Sequence, residues 1–384
     1  MIEAANGLTE YDIWFLHSDG YLLEVLDEVA WFQYIKRFNG IGNFVLQLPT
    51  GALSNKHLMR DAFVLFFRRD RNGKRALDFL GMLRWWKIHT TPKGITYLTL
   101  RGPDQNDLLR RRIVAYAAGR SETMISVAYA DDALKDIFNE NYLSGAESDR
   151  DISGRSVSTQ PDFSSGADLE MRFAWDDVLE AMKDICDASF AESIPVPMYF
   201  EIAVKQLSQN GYPEFEFKTH VNHPGIDRTA NSGHANPVIF GVDHDNLRNP
   251  SLTHDYNKEK NYVYVGGQGE QRKRTIVEVE DAFAVDASPF NRCEIFRDAR
   301  NTDDDELTEV GQQTLHKHRG TVKFAGTLLD TEQTPYGDWQ LGDKVSVTYE
   351  GMQFDVPIHS VSVRLSKSRE EVITASVESF EHES

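Results

Sequence analysis

The side chains in this 384-residue chain that have the types to do chemistry fall into scattered groups. His220, His223 and His234, with Asp227, carry the donor types of a divalent-metal site. His220 and His223 are only three residues apart, not at the i, i+4 spacing that usually presents two imidazoles on one helical face. The segment around them reads as loop. With 12 histidines in the chain, such groupings arise by composition alone. Asp243-His244-Asp245 has acid–base types in a stretch that reads as solvated loop. Asp303-Asp304-Asp305 has the charge to hold a cation. The same carboxylates also stand where a helix begins, beside unpaired N–H groups, a placement favourable by about 0.3–1 kcal/mol each. Gly266-Gly267-Gln268-Gly269 follows a strand, as a phosphate loop does. A phosphate loop needs a helix N-terminus behind it, and here a strand from Thr275 follows, so the segment predicts a hairpin with a basic tip.

Other groups are read in the same way. Cys186 lies on the apolar stripe of a predicted helix and reads as a buried thiol; with Cys293 it makes too few cysteines for a disulfide framework. Arg110-Arg111-Arg112 reads as an exposed strand end. Trp31, Trp85 and Trp86 fall in predicted strands and read as core or interface packing rather than sugar stacking. Neither a nucleophile elbow, a zinc-protease helix nor a Cys–His signature occurs, and nothing singles out a carboxylate pair for glycoside hydrolysis. The sequence therefore assigns no catalytic, cofactor-binding or metal-ligating residue.

Composition narrows the class. A hydrophobic share of 40% and a charged share of 26% are those of a globular protein large enough for two or three domains. The N-terminus carries an acid where a signal peptide needs a base, and no apolar run is long enough to span a membrane as a helix, so assembly in a cytoplasm is expected. The formal charge of −19, from 41 bases and 60 acids, argues against tight duplex binding. It suits a channel wall that passes DNA without holding it, and equally a protein kept soluble by its charge.

Periodicity supplies the elements that must position these residues. Residues 11–112 read as β: segments 11–17 and 21–26 flank the turn Ser18-Asp19-Gly20, Phe44, Leu46 and Leu48 alternate up to Pro49, 62–68 is densely apolar, and 80–88 and 95–100 supply two more strands. Apolar spacing predicts a helix over 124–138. A stripe of Trp175, Val178, Leu179, Met182, Ile185 and Cys186 predicts a second. Residues 142–167 and 220–260 read as loops, with strands at 198–204 and 215–219 between them. Strands return at 262–265 and 275–279. A helix is predicted over 303–319, with acids at its start, bases at its end, Gly320 to stop it, and Leu307, Val310, Thr314 and Leu315 as its buried stripe. In the last strands the apolar phase slips by one residue between Ile358 and Val361, the mark of a β-bulge. The expected fold is mainly β, α+β: an N-terminal barrel-like domain (1–113), an α+β insertion (114–258) and a C-terminal barrel-like domain with one helix (259–384).

Two segments carry a more specific signal. One runs from Phe32 through Arg37-Phe38-Asn39-Gly40 to Phe44-Val-Leu46-Gln-Leu48-Pro49. The other is Leu98-Thr-Leu100-Arg-Gly102, then Leu108-Leu109 and Arg112. With Glu294-Ile-Phe-Arg-Asp-Ala-Arg300, the Leu307–Gly311–Leu315 helix and Asp338-Trp-Gln-Leu-Gly-Asp-Lys-Val-Ser-Val347, they resemble a family of siphophage minor tail proteins, the hubs at the tip of long non-contractile tails. The resemblance implies a hub fold related to the baseplate hub of contractile tails, with two tail-tube-like β-barrels per subunit. It implies a homotrimer in the virion that links the tail tube or distal tail ring to a spike or fibre, with the tape measure protein as a further partner. DNA would pass through the ring without specific binding. The chain ends after its last strand, so no C-terminal peptidase or lysin domain is expected. The alternatives are a host-glycan-binding module that uses Trp85 or Trp86, and a cell-wall hydrolase with scattered acids.

Overall fold

The computed structural model describes residues 2–5, 9–70, 73–115, 123–190, 196–208, 211–269, 274–300, 303 and 307–382. The first hundred residues give nine strands: β1 (Ile2–Glu3), β2 (Glu10–Leu16), β3 (Leu22–Leu26), β4 (Trp31–Arg37), β5 (Asn43–Pro49), β6 (Phe63–Arg69), β7 (Arg75–Met82), β8 (Trp85–Thr90) and β9 (Thr96–Pro103). A short α1 (Asp107–Arg110) leads into β10 (Thr123–Tyr129), α2 (Ala130–Tyr142), β11 (Val157–Thr159), β12 (Asp168–Phe173), α3 (Val178–Phe190), β13 (Met198–Leu207) and β14 (Pro213–Val221). Then come β15 (Ile239–Gly241), β16 (Leu247–Asp255), β17 (Tyr262–Gly266), β18 (Ile276–Glu280), α4 (Ala282–Asp286), β19 (Glu294–Asp298) and α5 (Leu307–Lys317). The chain closes with β20 (Thr321–Leu329), β21 (Lys344–Tyr349), β22 (Met352–Leu365) and β23 (Glu371–His382).

The fold is mainly β, of α+β type. A five-stranded sheet (β1, β2, β3, β6, β7) faces a ten-stranded sheet ordered β16-β20-β23-β22-β4-β5-β9-β8, with β21 and β15 branching from β22. The first and last thirds of the chain share that larger sheet, because β4 pairs with β22 from Phe32↔Leu365 to Arg37↔Ser360. Among the described residues no sheet closes on itself as a barrel. Alternation in β2, β4, β5 and β6 sends Tyr11, Phe32, Tyr34, Phe44 and Phe66 into one aromatic layer, with ring centroids 4.8–6.1 Å apart. Gly102, the glycine of the Leu-x-Leu-x-Gly segment, marks where β9 crosses the end of β7. A Cβ there would stand 1.8 Å from the Met82 carbonyl oxygen.

A second core packs the outer face of β6 and β7 against α2, α3, β13 and β14, through Phe63, Leu65, Phe67, Ile137, Phe138, Ile185 and Phe217. A third is small: β17, β18 and β19 form their own sheet, and α5 covers it with Leu307 and Leu315 over Val263, Val265 and Ala299.

Several expectations need correction. Residues 124–129 are strand β10, not helix; they hold β-branched Ile125 and Val127 and pair with β12. The helix begins at Ala130, with Asp131 and Asp132 in its first turn. Trp175 is exposed and left-handed (φ 68), outside the second helix. Asp177 caps that helix, its carboxylate accepting the N–H groups of Leu179 and Glu180. The expected strand 80–88 is two strands in different sheets. Between them the buried Leu83 turns the corner, its N–H donating to Ala62 and its carbonyl accepting from Asp61. The expected loops 142–167 and 220–260 contain β11, β15 and β16. β16 escaped notice because, as the sheet's edge, it alternates mostly exposed polar residues. The helix placed over 303–319 spans Leu307–Lys317, with Asp303 outside it and 304–306 beyond the described residues. Its end is closed by His318 Nδ1 against the Thr314 carbonyl oxygen (2.8 Å). The phase slip is a real bulge: the β22–β23 register shifts between Ile358 and Ser360, where β22 leaves β21 and joins β4.

Candidate assembly surface

The side chains singled out as metal or acid–base candidates are each held locally. His220 Nε2 lies 3.3 Å from Glu201, His223 Nδ1 lies 2.8 Å from the Gly225 carbonyl oxygen, and His234 Nδ1 accepts from the Asn236 N–H. Asp227 accepts the N–H and hydroxyl of Thr229. Asp243 and His244 sit in a 3₁₀ turn that Asp245 ends in the left-handed region. Asp304, Asp305 and the tip 270–273 of the glycine-rich hairpin lie outside the described residues. Among the described residues no three His, Cys, Asp or Glu side chains converge. Cys186 is buried, and burial pushes its thiol well above the usual range. The Arg110–Arg112 triplet is not a bare basic patch. Arg110 and Arg111 pair with Asp107 at 2.5 and 2.7 Å, and Arg112 donates to the carbonyls of Asn141 and Arg150.

The two motif segments do meet, and their polar residues do one job. Asn39 ends β4 in the left-handed region (φ 51). Its Nδ2 donates to the Met198 carbonyl oxygen (2.9 Å), and its Oδ1 accepts from the Phe200 N–H (2.7 Å). Asn106 continues the pattern: its Oδ1 accepts from the Ile202 N–H (2.7 Å), and its Nδ2 donates to Gly40 (2.9 Å). The two side-chain amides act as a false strand beside β13, fixing the middle region to the sandwich without a real strand. Behind them the buried Asp104 carboxylate accepts the N–H groups of Gly42 (2.8 Å) and Asn106 (3.0 Å). Burial pushes Asp104 up to about 7. Of these residues only Asn39 was a motif position in the sequence; Asp104 and Asn106 lie between the motif residues Gly102 and Leu108 and gave no signal of their own.

The charges inside the sandwich were missed altogether. Lys36 Nζ donates to Asp78 (2.7 Å) and to the Tyr336 hydroxyl (2.5 Å), while the Tyr34 hydroxyl donates to the other Asp78 oxygen. Arg68 grips Glu371 with two bonds, 3.0 and 3.2 Å, and Tyr11 donates to the same carboxylate. Burial pulls the Lys36 ammonium down, but Asp78 and Tyr336 together raise it above its ordinary value. Burial pushes Asp78 up, yet Lys36 and Tyr34 hold it below the usual carboxylate range. Burial, then Asp78, pushes Tyr336 up to about 12. Lys36 and Asp78 thus hold each other charged. That arrangement ties β2, β4, β6, β7 and β23 together and offers neither a free base nor a nucleophile. The only sequence signal was polar residues at inward strand positions.

The exposed surface contrasts with this interior. β8 ends the ten-stranded sheet and pairs only with β9 among the described residues. The strand carries Trp85, Trp86 and Ile88, which are 41%, 38% and 52% exposed. Ile95 follows in the hairpin, and the Arg101 guanidinium lies 4.8 Å from the Trp85 ring. Soluble proteins usually blunt such an edge with charge, proline or a covering element; on β8 that role falls to exposed Lys87, flanked by the apolar residues. Trp31 instead is half-buried and donates to Gln47 (3.0 Å).

Comparison with known proteins follows the whole chain. Three solved structures share its architecture: the 43 kDa tail protein of prophage MuSo2 from Shewanella oneidensis (TM-score 0.55, 11% identity, 96% of this chain and 98% of that one), the tail protein from Neisseria meningitidis MC58 (0.52, 10%, 96% and 96%) and prophage tail protein gp18 from Listeria monocytogenes EGD-e (0.51, 10%, 97% and 95%). At these identities the likeness establishes the fold alone. No curated protein matches the sequence. The family described as Siphovirus ReqiPepy6 Gp37-like protein matches residues 11–377. The chain belongs to that siphovirus Gp37-like family, on a fold shared with prophage tail proteins.

Proposed function

We propose that this protein is a structural hub at the distal tip of a phage tail. Three copies close a ring that joins the tail tube or distal tail ring to a spike or fibre, and its bore lets DNA leave without specific binding. The β regions 1–113 and 259–384 act as tail-tube-like segments of the wall, β15 and β16 of the middle region complete their shared sheet, and the rest of 114–258 packs outside it. The observation that carries this reading is the bare β8 edge with Trp85, Trp86 and Ile88 on it, which a closed ring would cover. Family membership and a fold shared over nearly the whole length of three tail proteins support it. The mechanism is assembly, with no bond broken. Trp85 and Trp86 are adjacent on a strand and point to opposite faces, so they form no single sugar-stacking platform.

Multi-angle light scattering on the purified protein tests the proposal. The expected mass is three times the 43.7 kDa chain, falling to one chain when Trp85 and Ile88 are both changed to Lys. A wild-type protein that stays monomeric at all concentrations, and is missing from isolated tails, overturns it.

A further inference from the structure

The outer face of the ten-stranded sheet carries a row of side chains that the assembly reading leaves unused. Cross-strand register places Thr327 opposite Ser376, Ser376 opposite Ser360, and Ser360 opposite Arg37. Such neighbours stand roughly 5 Å apart on one face, so three hydroxyls and a guanidinium span about 15 Å in a line. The row floors an open groove of about 440 Å³. Gly326 keeps part of that groove low, and Asn249 rises at its far end in the left-handed region (φ 49), where the β16–β20 register slips. Arg37 is exposed, and no carboxylate pairs with it among the described residues, although the chain carries 60 acids. Its neighbour Lys36 points the other way, into the sealed network with Asp78 and Tyr336.

We propose that this groove binds a carboxylate, and that the carboxylate belongs to an acidic loop of another tail protein seated across the sheet face. The argument is charge and geometry. The donors are a guanidinium fork and hydroxyls in fixed register, which match a carboxylate's two oxygens. Among the described residues no carboxylate pairs with the Arg37 cation, and Arg248, exposed and opposite Thr327, adds a second cation beyond the far end of the row. The groove takes one or two side chains, and its aromatic lining is limited to Phe38 and His359. The inference rests on reading the chain as one component of a multi-protein tail.

Two measurements test it. In the purified protein labelled with 15N-arginine, glutarate is expected to shift the Arg37 Nε–H resonance saturably, more strongly than inorganic phosphate does. Ser376→Trp, which fills the groove, should abolish the shift. An Arg37 signal that moves no more than those of the other exposed arginines, or one that saturates first with phosphate, overturns the carboxylate assignment. In assembled tails, Arg37→Ala and Arg37→Lys are both expected to lower incorporation by about tenfold or more, the scale of one charge-assisted bidentate pair, with melting and self-association unchanged. Normal incorporation of Arg37→Ala overturns the partner-loop assignment. Loss of self-association in the β8 variants is a separate readout, so failure of the ring and failure of the groove are told apart.

Discussion

The main sandwich and the small β17–β18–β19–α5 unit solve the same problem with different means. The sandwich buries charge and satisfies it: Arg68 and Glu371 are 6% and 2% exposed, and each has a second partner in the same layer. The small unit keeps its charges outside. Arg292–Glu294 and Arg300–Asp298 lie on its surface, with Arg274 reaching Asp298 from a partly buried position, and among the described residues its core is five buried residues. It also displays Phe283, Phe290 and Phe296, with Phe290 92% exposed. The difference teaches where rigidity resides. A sheet shared by both ends of the chain and locked by buried ion pairs is a scaffold. A unit with so small a core is the first part to open.

The largest effect should come from breaking a lock. Arg68→Ala leaves the Glu371 carboxylate buried without its guanidinium, and the expected cost is about 3–5 kcal/mol in urea unfolding. A cost under about 1 kcal/mol would mean that solvent reaches this layer, and the contrast with the small unit would vanish. Next comes Leu307→Ala, which removes one of five core residues of the small unit. The expected local cost is about 2–4 kcal/mol. Hydrogen exchange should show protection lost in β17, β18, β19 and α5 while β4, β5 and β22 keep theirs. Equal loss in both regions would show that they unfold together.

How much of this was legible in the sequence depends on which force set each element. The strand pairs of the sandwich could be read because Phe44, Leu46 and Leu48 alternate in the open, and the β22 bulge because the phase change at Val361 has only one simple cause. The Ile185–Cys186 stripe likewise announced α3. β16 could not be read, since an edge strand shows no apolar alternation. Nor could the joining of the two β regions, because pairing of Arg37 with Ser360 is set 323 positions apart by topology, not by local pattern. The β8 edge was half visible: Trp85 and Trp86 stood out as large aromatics in a strand, but only the structure shows that their strand is a sheet edge. Of the clamp only Asn39 stood in a motif, and Asp104 and Asn106 take up their role only once β13 is in place.

Gly102→Ala sharpens the comparison from the packing side. The added methyl would meet the Met82 carbonyl oxygen at 1.8 Å, a backbone atom that cannot turn away. Overpacking of this kind costs about 1–3 kcal/mol. Because β9 lies between β8 and β5, the shift should also weaken self-association through the β8 edge. A variant that melts normally and still associates would separate the edge from the sandwich behind it.

The smallest effect is a difference in sign with pH. Asp104 is held by burial up to about 7, against an unfolded value near 4. Between those values the folded protein keeps a proton that the unfolded chain has released. Stability from this group is therefore fully present below about pH 4 and lost as pH rises toward 7. Asp298 is the opposite case. Its bond with Arg300, and then that with Arg274, outweighs burial and holds it down to about 2. Its contribution is present above about pH 4 and lost as pH falls toward 2. Lowering pH from 8 to 5 should thus tighten the junction of β13 with the sandwich and leave Asp298 of the small unit charged, while lowering it from 4 to 2 should loosen the small unit through Asp298 and the Lys36–Asp78 network through Asp78. Site-resolved hydrogen exchange reads both. Asp104→Asn should flatten the first slope, at the cost of about 1 kcal/mol for the lost N–H acceptor. A slope that survives Asp104→Asn would show that Asp104 does not hold the proton.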